Sequence, residues 1–259
     1  MEIQLTAQTA SLLGAAIGAS AAITAQLFSH FLTKKREKEK YVREIYQNLF
    51  APIIFDIIAF FDICTNFRKG HEIKDSINED EIRKKIFDHV KNNLKYASPK
   101  LMSEYHNIAK NEYYEDFSGF HQFIDDLEFY IAILDEIDKL TGKLNIFEKK
   151  FRNMIIKYKI LYLIWIASIQ FFQNPSEANT FISYNFYFDS RRFTRRTFRK
   201  LNKFYYKQRL KDKWVRLISW TFRKESYRSN SPKEIITIIK IVTQDKKAIE
   251  ELLKHIPED

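Results

Sequence analysis

A chain of 259 residues with 45% hydrophobic content, 23 Phe and 14 Tyr has ample apolar mass for a folded core, which excludes wholesale disorder. Only 5 Gly and 5 Pro interrupt it, against a many-turned β-sandwich or barrel, and the single cysteine, Cys64, excludes a disulfide framework or a cysteine metal cluster. The formal charge of +10 is concentrated in residues 191–228, where 15 Lys or Arg face only Asp212 and Glu225, so the rest of the chain is slightly acidic.

Residues 10–32, ASLLGAAIGASAAITAQLFSHFL, contain no Asp, Glu, Lys or Arg. As a helix they reach about 34 Å, enough for a hydrocarbon core of about 30 Å. Only Glu2 precedes the run as a charged residue, whereas Lys34, Lys35, Arg36, Lys38 and Lys40 follow it, which is the charge order of an anchor rather than of a secretory signal. The positive-inside rule then puts the N-terminus outside and the remainder in the cytoplasm, as in a bacterial inner-membrane protein. Ala10, Gly14, Gly18 and Ala22 recur every four residues, a small-residue stripe that lets two such helices approach closely and predicts a homo-oligomer. Gln4, Gln8, Gln26 and His30 add polar groups that hydrocarbon penalises unless another helix or water accepts them.

The expected fold is therefore mainly α: a transmembrane anchor over 1–33, a juxtamembrane helix over 34–51, an all-α, bundle-like cytoplasmic domain over 52–230 and C-terminal helices over 231–259. Pro52 marks a break after the juxtamembrane helix, and 53–64, IIFDIIAFFDIC, reads as a core helix. A polar loop over 68–78 precedes a helix over 79–96. Ser98 and Pro99 supply an N-cap and a first-turn proline for the next. Apolar residues at helical spacing predict a helix over 120–140, ended by Gly142, and another over 145–172. The latter contains ILYLIWIASIQFF, which is short for a span and reads as core. Residues 181–188, FISYNFYF, suit a short strand or a buried irregular segment. Ser231, Pro232 and Glu234 form a capping box for two short helices divided near Asp245.

Within the basic region, Phe193, Thr197, Leu201 and Phe204 share one helical face. Arg191, Arg192, Arg195, Arg196, Arg199, Lys200 and Lys203 supply the charge around it. Such a helix suits the anionic surface of a lipid bilayer, where Trp214 and Trp220 fit the interface, or a nucleic acid, whose phosphates match guanidinium and whose bases stack on aromatics. The third option is a packed helix whose charges face water or the acidic helix bearing Asp125, Asp126, Glu128, Asp135, Glu136 and Asp138. His121, Asp125, Glu128 and Asp135 lie near one face of that acidic helix. One helix rarely supplies a full coordination shell, so no metal is expected. There is no glycine-rich phosphate loop, GxSxG or HExxH, and no cofactor is expected.

In RKKIFDH, the separation of Arg83 and His89 resembles the Arg, five or six residues, His spacing of the HEPN ribonuclease family, whose domains are all-helical. Over these seven residues the resemblance implies that Arg83 and His89 activate and stabilise phosphodiester cleavage in a dimer. Lys84 stands where the family usually has a polar Asn, His or Asp. The plan of a short GxxxG-containing span, a basic stop and a helical domain is similar to that of some membrane-acting phage-defence effectors. The functional expectation is a membrane-anchored, self-associating protein that binds an anionic surface or ligand; the alternatives are a membrane-tethered ribonuclease and a non-enzymatic scaffold.

Overall fold

The computed structural model describes residues 7–111, 113, 121–144, 147–222 and 232–256, with side chains of some helical residues, among them 208–209 and 211–222, outside that description. The described residues form helices and turns with no strand. They divide into two compact units, 1–45 and 46–259.

The first unit is the helix α1, Ala7–Ile45. Every residue from 9 to 41 is exposed, including Ile17 (68%) and Leu27 (66%). Ser20 and Thr24 satisfy their hydroxyls on carbonyls one turn back, at Ala16 and Ser20. Helical geometry continues as predicted to Phe50, although Tyr46–Phe50 widens to a π-turn, and the break falls at Pro52.

The second unit comprises α2 (Ile54–Cys64), α3 (Lys69–Glu72), α4 (Glu79–Asn92), α5 (Pro99–Asn111), α6 (His121–Leu144), α7 (Lys149–Phe172), α8 (Pro175–Ser183), α9 (Arg195–Phe222), α10 (Pro232–Val242) and α11 (Lys246–Leu253). Its centre is α7, which packs on α2, α6, α8, α9 and α10. From Ile155 to Ile169 the helix is buried on nearly all sides, as a helix that is apolar all round must be. Tyr162 donates to the Ile57 carbonyl at 2.5 Å, and the Trp165 indole donates to Asn179 at 2.7 Å, so both wide side chains enter the core with their polar atoms satisfied. Phe60, Phe61, Tyr130 and Phe123 pack edge-on or tilted around them.

Two stretches, Thr9–Cys64 and Lys149–Phe172, each contain an 18-residue window apolar enough to cross a membrane, of mean hydropathy 1.6 and 1.5. They differ in cover. In α7, 72% of the apolar window is buried by its own chain, which agrees with the reading of this segment as core; the window in Thr9–Cys64 is 44% buried, by residues beyond Tyr41, since residues 9–41 are exposed.

Local signals account for most boundaries. The Asn78 side chain caps α4 and Ser98 caps α5 through the Leu101 N–H. Asp245 caps α11, and this is where the C-terminal helices divide. Four expectations need correction. Gly142 does not end α6, which runs to Leu144; a lone glycine costs a helix only about 1 kcal/mol, and the helix continues through it. The next helix starts at Lys149, not Asn145. The polar loop holds the single turn α3. Residues 181–188 form no strand: Asn174 and Pro175 start α8, which is followed by a 3-10 turn at Asn185–Tyr187. Ser231 of the capping box lies outside the described residues.

Candidate functional site

The basic region is not one continuous helix. Asp189 accepts from the Arg191 N–H and starts a 3-10 turn over Ser190–Arg192. The α-helix begins only at Arg195, because Thr194 Oγ1 accepts from the Thr197 N–H as an N-cap. Arg191 and Arg192 therefore leave the predicted stripe. Arg191 Nε pairs with Asp189 at 3.1 Å, holding that carboxyl below its usual range, and Arg192 donates to the Lys240 carbonyl. On α9 the buried face is Thr197, Leu201 and Tyr205. Phe193 precedes the helix, and Phe204 is only half-buried.

Beside the buried face of α9 lies an ion network whose centre, Lys159, carries no local signal in the sequence. Lys159 of α7, 2% exposed, donates to Asp135 at 2.8 Å and Asp138 at 3.2 Å on α6. Its ammonium also lies 4.2 Å from the centre of the Phe198 ring of α9. Arg195 reaches the same Asp138 at 2.6 Å, and Lys139 reaches Asp135 at 2.7 Å. Burial works against the Asp135 charge, but hydrogen bonds from Lys139 and Lys159 outweigh it and hold the carboxyl down to about 2. The Tyr205 hydroxyl adds a bond to Glu128. The acidic helix and the basic region thus do meet, at Arg195 and Tyr205.

Beyond that contact the charge is free. Arg196, Arg199, Lys200 and Lys203 are exposed, as is Lys207, and no carboxylate among the described residues pairs with any of them. Four of the seven predicted basic residues therefore form an open cationic face, and three are used to fasten the segment. The side chains of Trp214 and Trp220, and residues 223–231, lie outside the described residues.

Arg83 and His89 are both on α4 but serve different neighbours. Arg83 makes a two-pronged pair with Asp126 of α6, Nε to Oδ2 at 2.5 Å and Nη2 to Oδ1 at 3.1 Å. Asp126 is nearly buried, and burial pushes its carboxyl up against the pull of the guanidinium. His89 Nε2 lies 3.0 Å from the carbonyl of Asn48. A cleft of about 310 Å³ beside Arg83 is lined by Phe87, Asp126, Phe129 and Tyr130, and His89 is not part of it. Six residues along a helix also turn a side chain by about 240°. The structure does not bring this pair to one reacting point.

Asp125 accepts from Asn111, while Asp135 and Glu128 are engaged as above, so the imagined ligands on α6 have other partners. The His121 side chain is not described. Cys64 is half-buried, and burial together with the Glu79 carboxylate pushes its thiol up, away from reactivity. Ala10, Gly14, Gly18 and Ala22 are all exposed on α1, and a Cβ added at Gly14 or Gly18 would meet nothing within 4 Å. No protein-family model, curated protein or solved structure matches the chain.

Proposed function

We propose that the chain is a single-pass membrane protein of the bacterial inner membrane, with its N-terminus outside and an all-α domain in the cytoplasm that binds an anionic partner through α9. The observation that supports this reading is the uncharged run over 10–32, in which every residue is exposed, Leu and Ile side chains included. Large apolar patches left open in this way mark contact with a membrane or another protein. The cluster from Lys34 to Lys40 supports the orientation.

The anchor self-associates through Ala10, Gly14, Gly18 and Ala22, and the output is binding at the membrane rather than a reaction. A membrane-acting stress or phage-defence role suits this plan, and a potential-sensitive dye in expressing cells tests it. Topology is tested by fractionation and proteolysis. The intact protein is expected in the membrane pellet without detergent, with its C-terminal tail cut only after the cells are opened. A soluble product, or a tail cut in intact cells, refutes the reading.

A further inference from the structure

We infer that the outer arc of α9 lies in the plane of the membrane surface and that its partner is anionic phospholipid. The inference rests on the membrane-anchored reading above and names the partner of the same basic face.

Arg196, Arg199, Lys200, Lys203 and Lys207 are exposed on α9, and so are Tyr206 (47%) and Leu210 (59%). At 3.6 residues per turn these positions fall within an arc of about 120°. The opposite side is committed to the bundle by Thr197, Leu201 and Tyr205, and Arg195 is held by Asp138. The helix therefore cannot roll to hide Tyr206 and Leu210 without breaking its attachment. Along the arc, cations dominate the first turns, and a phenol and an aliphatic side chain join them further on.

That mixture selects between anionic partners. A polynucleotide matches the cations, and a base can stack on Tyr206, but Leu210 gains nothing from a hydrated phosphate backbone. The boundary between headgroups and acyl chains takes all three: cations at the phosphates, a tyrosine at the interface and a leucine about 5–10 Å deeper. The tether favours the same partner. Residues 33–45 reach only about 20 Å as a helix, so the leaflet is always within range of the domain. Each Lys or Arg near an anionic leaflet contributes on the order of a fivefold gain in binding, so losing four weakens it by on the order of several hundredfold.

The test uses the full chain with Cys64→Ala and Leu210→Cys, the latter carrying a polarity-sensitive dye, in lipid nanodiscs of phosphatidylcholine with or without phosphatidylglycerol. A blue shift and protection from an aqueous quencher are expected only with phosphatidylglycerol, reversed by high salt. Both are expected to vanish in R196Q/R199Q/K200Q/K203Q and to persist in R196K/R199K/K200R/K203R. All four side chains are exposed, and circular dichroism checks that each variant folds. An equal shift in both disc types overturns charge-driven docking. No shift overturns the inference too, and salt-sensitive RNA binding by the same discs would then reassign the face to nucleic acid while leaving the anchor in place. Failure of the chain to enter either disc type, read before the dye, sinks the anchored reading and this inference with it.

Discussion

Lys159→Met is the sharpest probe of the buried ion network that joins α6 to α7 beside the basic helix. The substitution keeps the length and most of the volume of the side chain and removes its charge from a site 2% exposed. Two charge-assisted bonds are lost, to Asp135 at 2.8 Å and Asp138 at 3.2 Å. Orphaning a buried carboxylate completely costs about 3–5 kcal/mol. Here each acid keeps a second cation: Asp135 retains Lys139 at 2.7 Å, and Asp138 retains Arg195 at 2.6 Å. The expected loss is therefore about 3 kcal/mol, or roughly 6–12 °C in Tm for a domain of this size. Arg195→Gln is the control, because its side chain is 45% exposed and the pair is screened; it should cost less than about 1 kcal/mol. The assay is thermal unfolding of the detergent-solubilised chain by circular dichroism near neutral pH. If Lys159→Met lowers Tm no more than Arg195→Gln, the buried ammonium does not tie α6 to α7.

The remaining predictions touch the other elements. Asp135, held down to about 2 from an ordinary value of 3.8, stabilises the fold above pH about 4, and that contribution is lost as pH falls toward 2. Denaturant titrations of Asp135→Asn should show a smaller loss across that window than the parent; Asp126, whose carboxyl burial raises, acts in the opposite sense. Arg83→Ala leaves nearly buried Asp126 without its guanidinium and should cost about 3 kcal/mol, against under about 1 kcal/mol for His89→Ala, which loses a single contact with a carbonyl. RNA levels during expression should not respond to His89→Ala, and RNA decay that this change abolishes would restore the ribonuclease alternative. Gly14→Ile with Gly18→Ile meets no obstruction within the chain, so loss of crosslinked oligomers in membranes would report on contacts between chains, and unchanged oligomers would remove the stripe from the mechanism.

The helices were legible wherever a local rule sufficed. Asn78, Ser98 and Asp245 cap the elements they precede because a side-chain oxygen two or three residues away satisfies an orphan N–H, and that geometry is written in adjacent residues. Gly142 misled because a lone glycine is a weak stop, worth about 1 kcal/mol, and α6 runs two residues past it to Leu144. The site was half legible. Composition marked the cationic face and helical spacing placed Thr197 and Leu201 on the inward arc, but Tyr205 completes that arc where Phe204 was expected, and Phe193 lies before α9. Lys159 is 24 and 21 residues from its acidic partners, a pairing that only the α6–α7 packing creates.

The same network separates the two apolar helices more firmly than hydropathy does. The stretches that hold them, Thr9–Cys64 and Lys149–Phe172, both pass the length and hydropathy test for crossing a bilayer, so that test does not tell them apart. A charge midway along a span must be matched at hydrocarbon depth or drawn to the interface. In α7 the charge is Lys159, and it is matched by Asp135 and Asp138 of a helix that is itself part of the core. Moving α7 into lipid would strand those carboxylates and uncover Tyr162 and Trp165, whose polar atoms now bond to Ile57 and Asn179. Residues 10–32 hold no charge to match, Ser20 and Thr24 bond within the helix, and the apolar side chains are exposed, which leaves Gln26 and His30 as the polar side chains that hydrocarbon penalises. Transfer to hydrocarbon breaks none of these bonds and removes exposed apolar surface from water, at about 25 cal/mol per Å². The direction of that free-energy difference, not the hydropathy value, is the reason one helix belongs to the core and the other is proposed as the anchor.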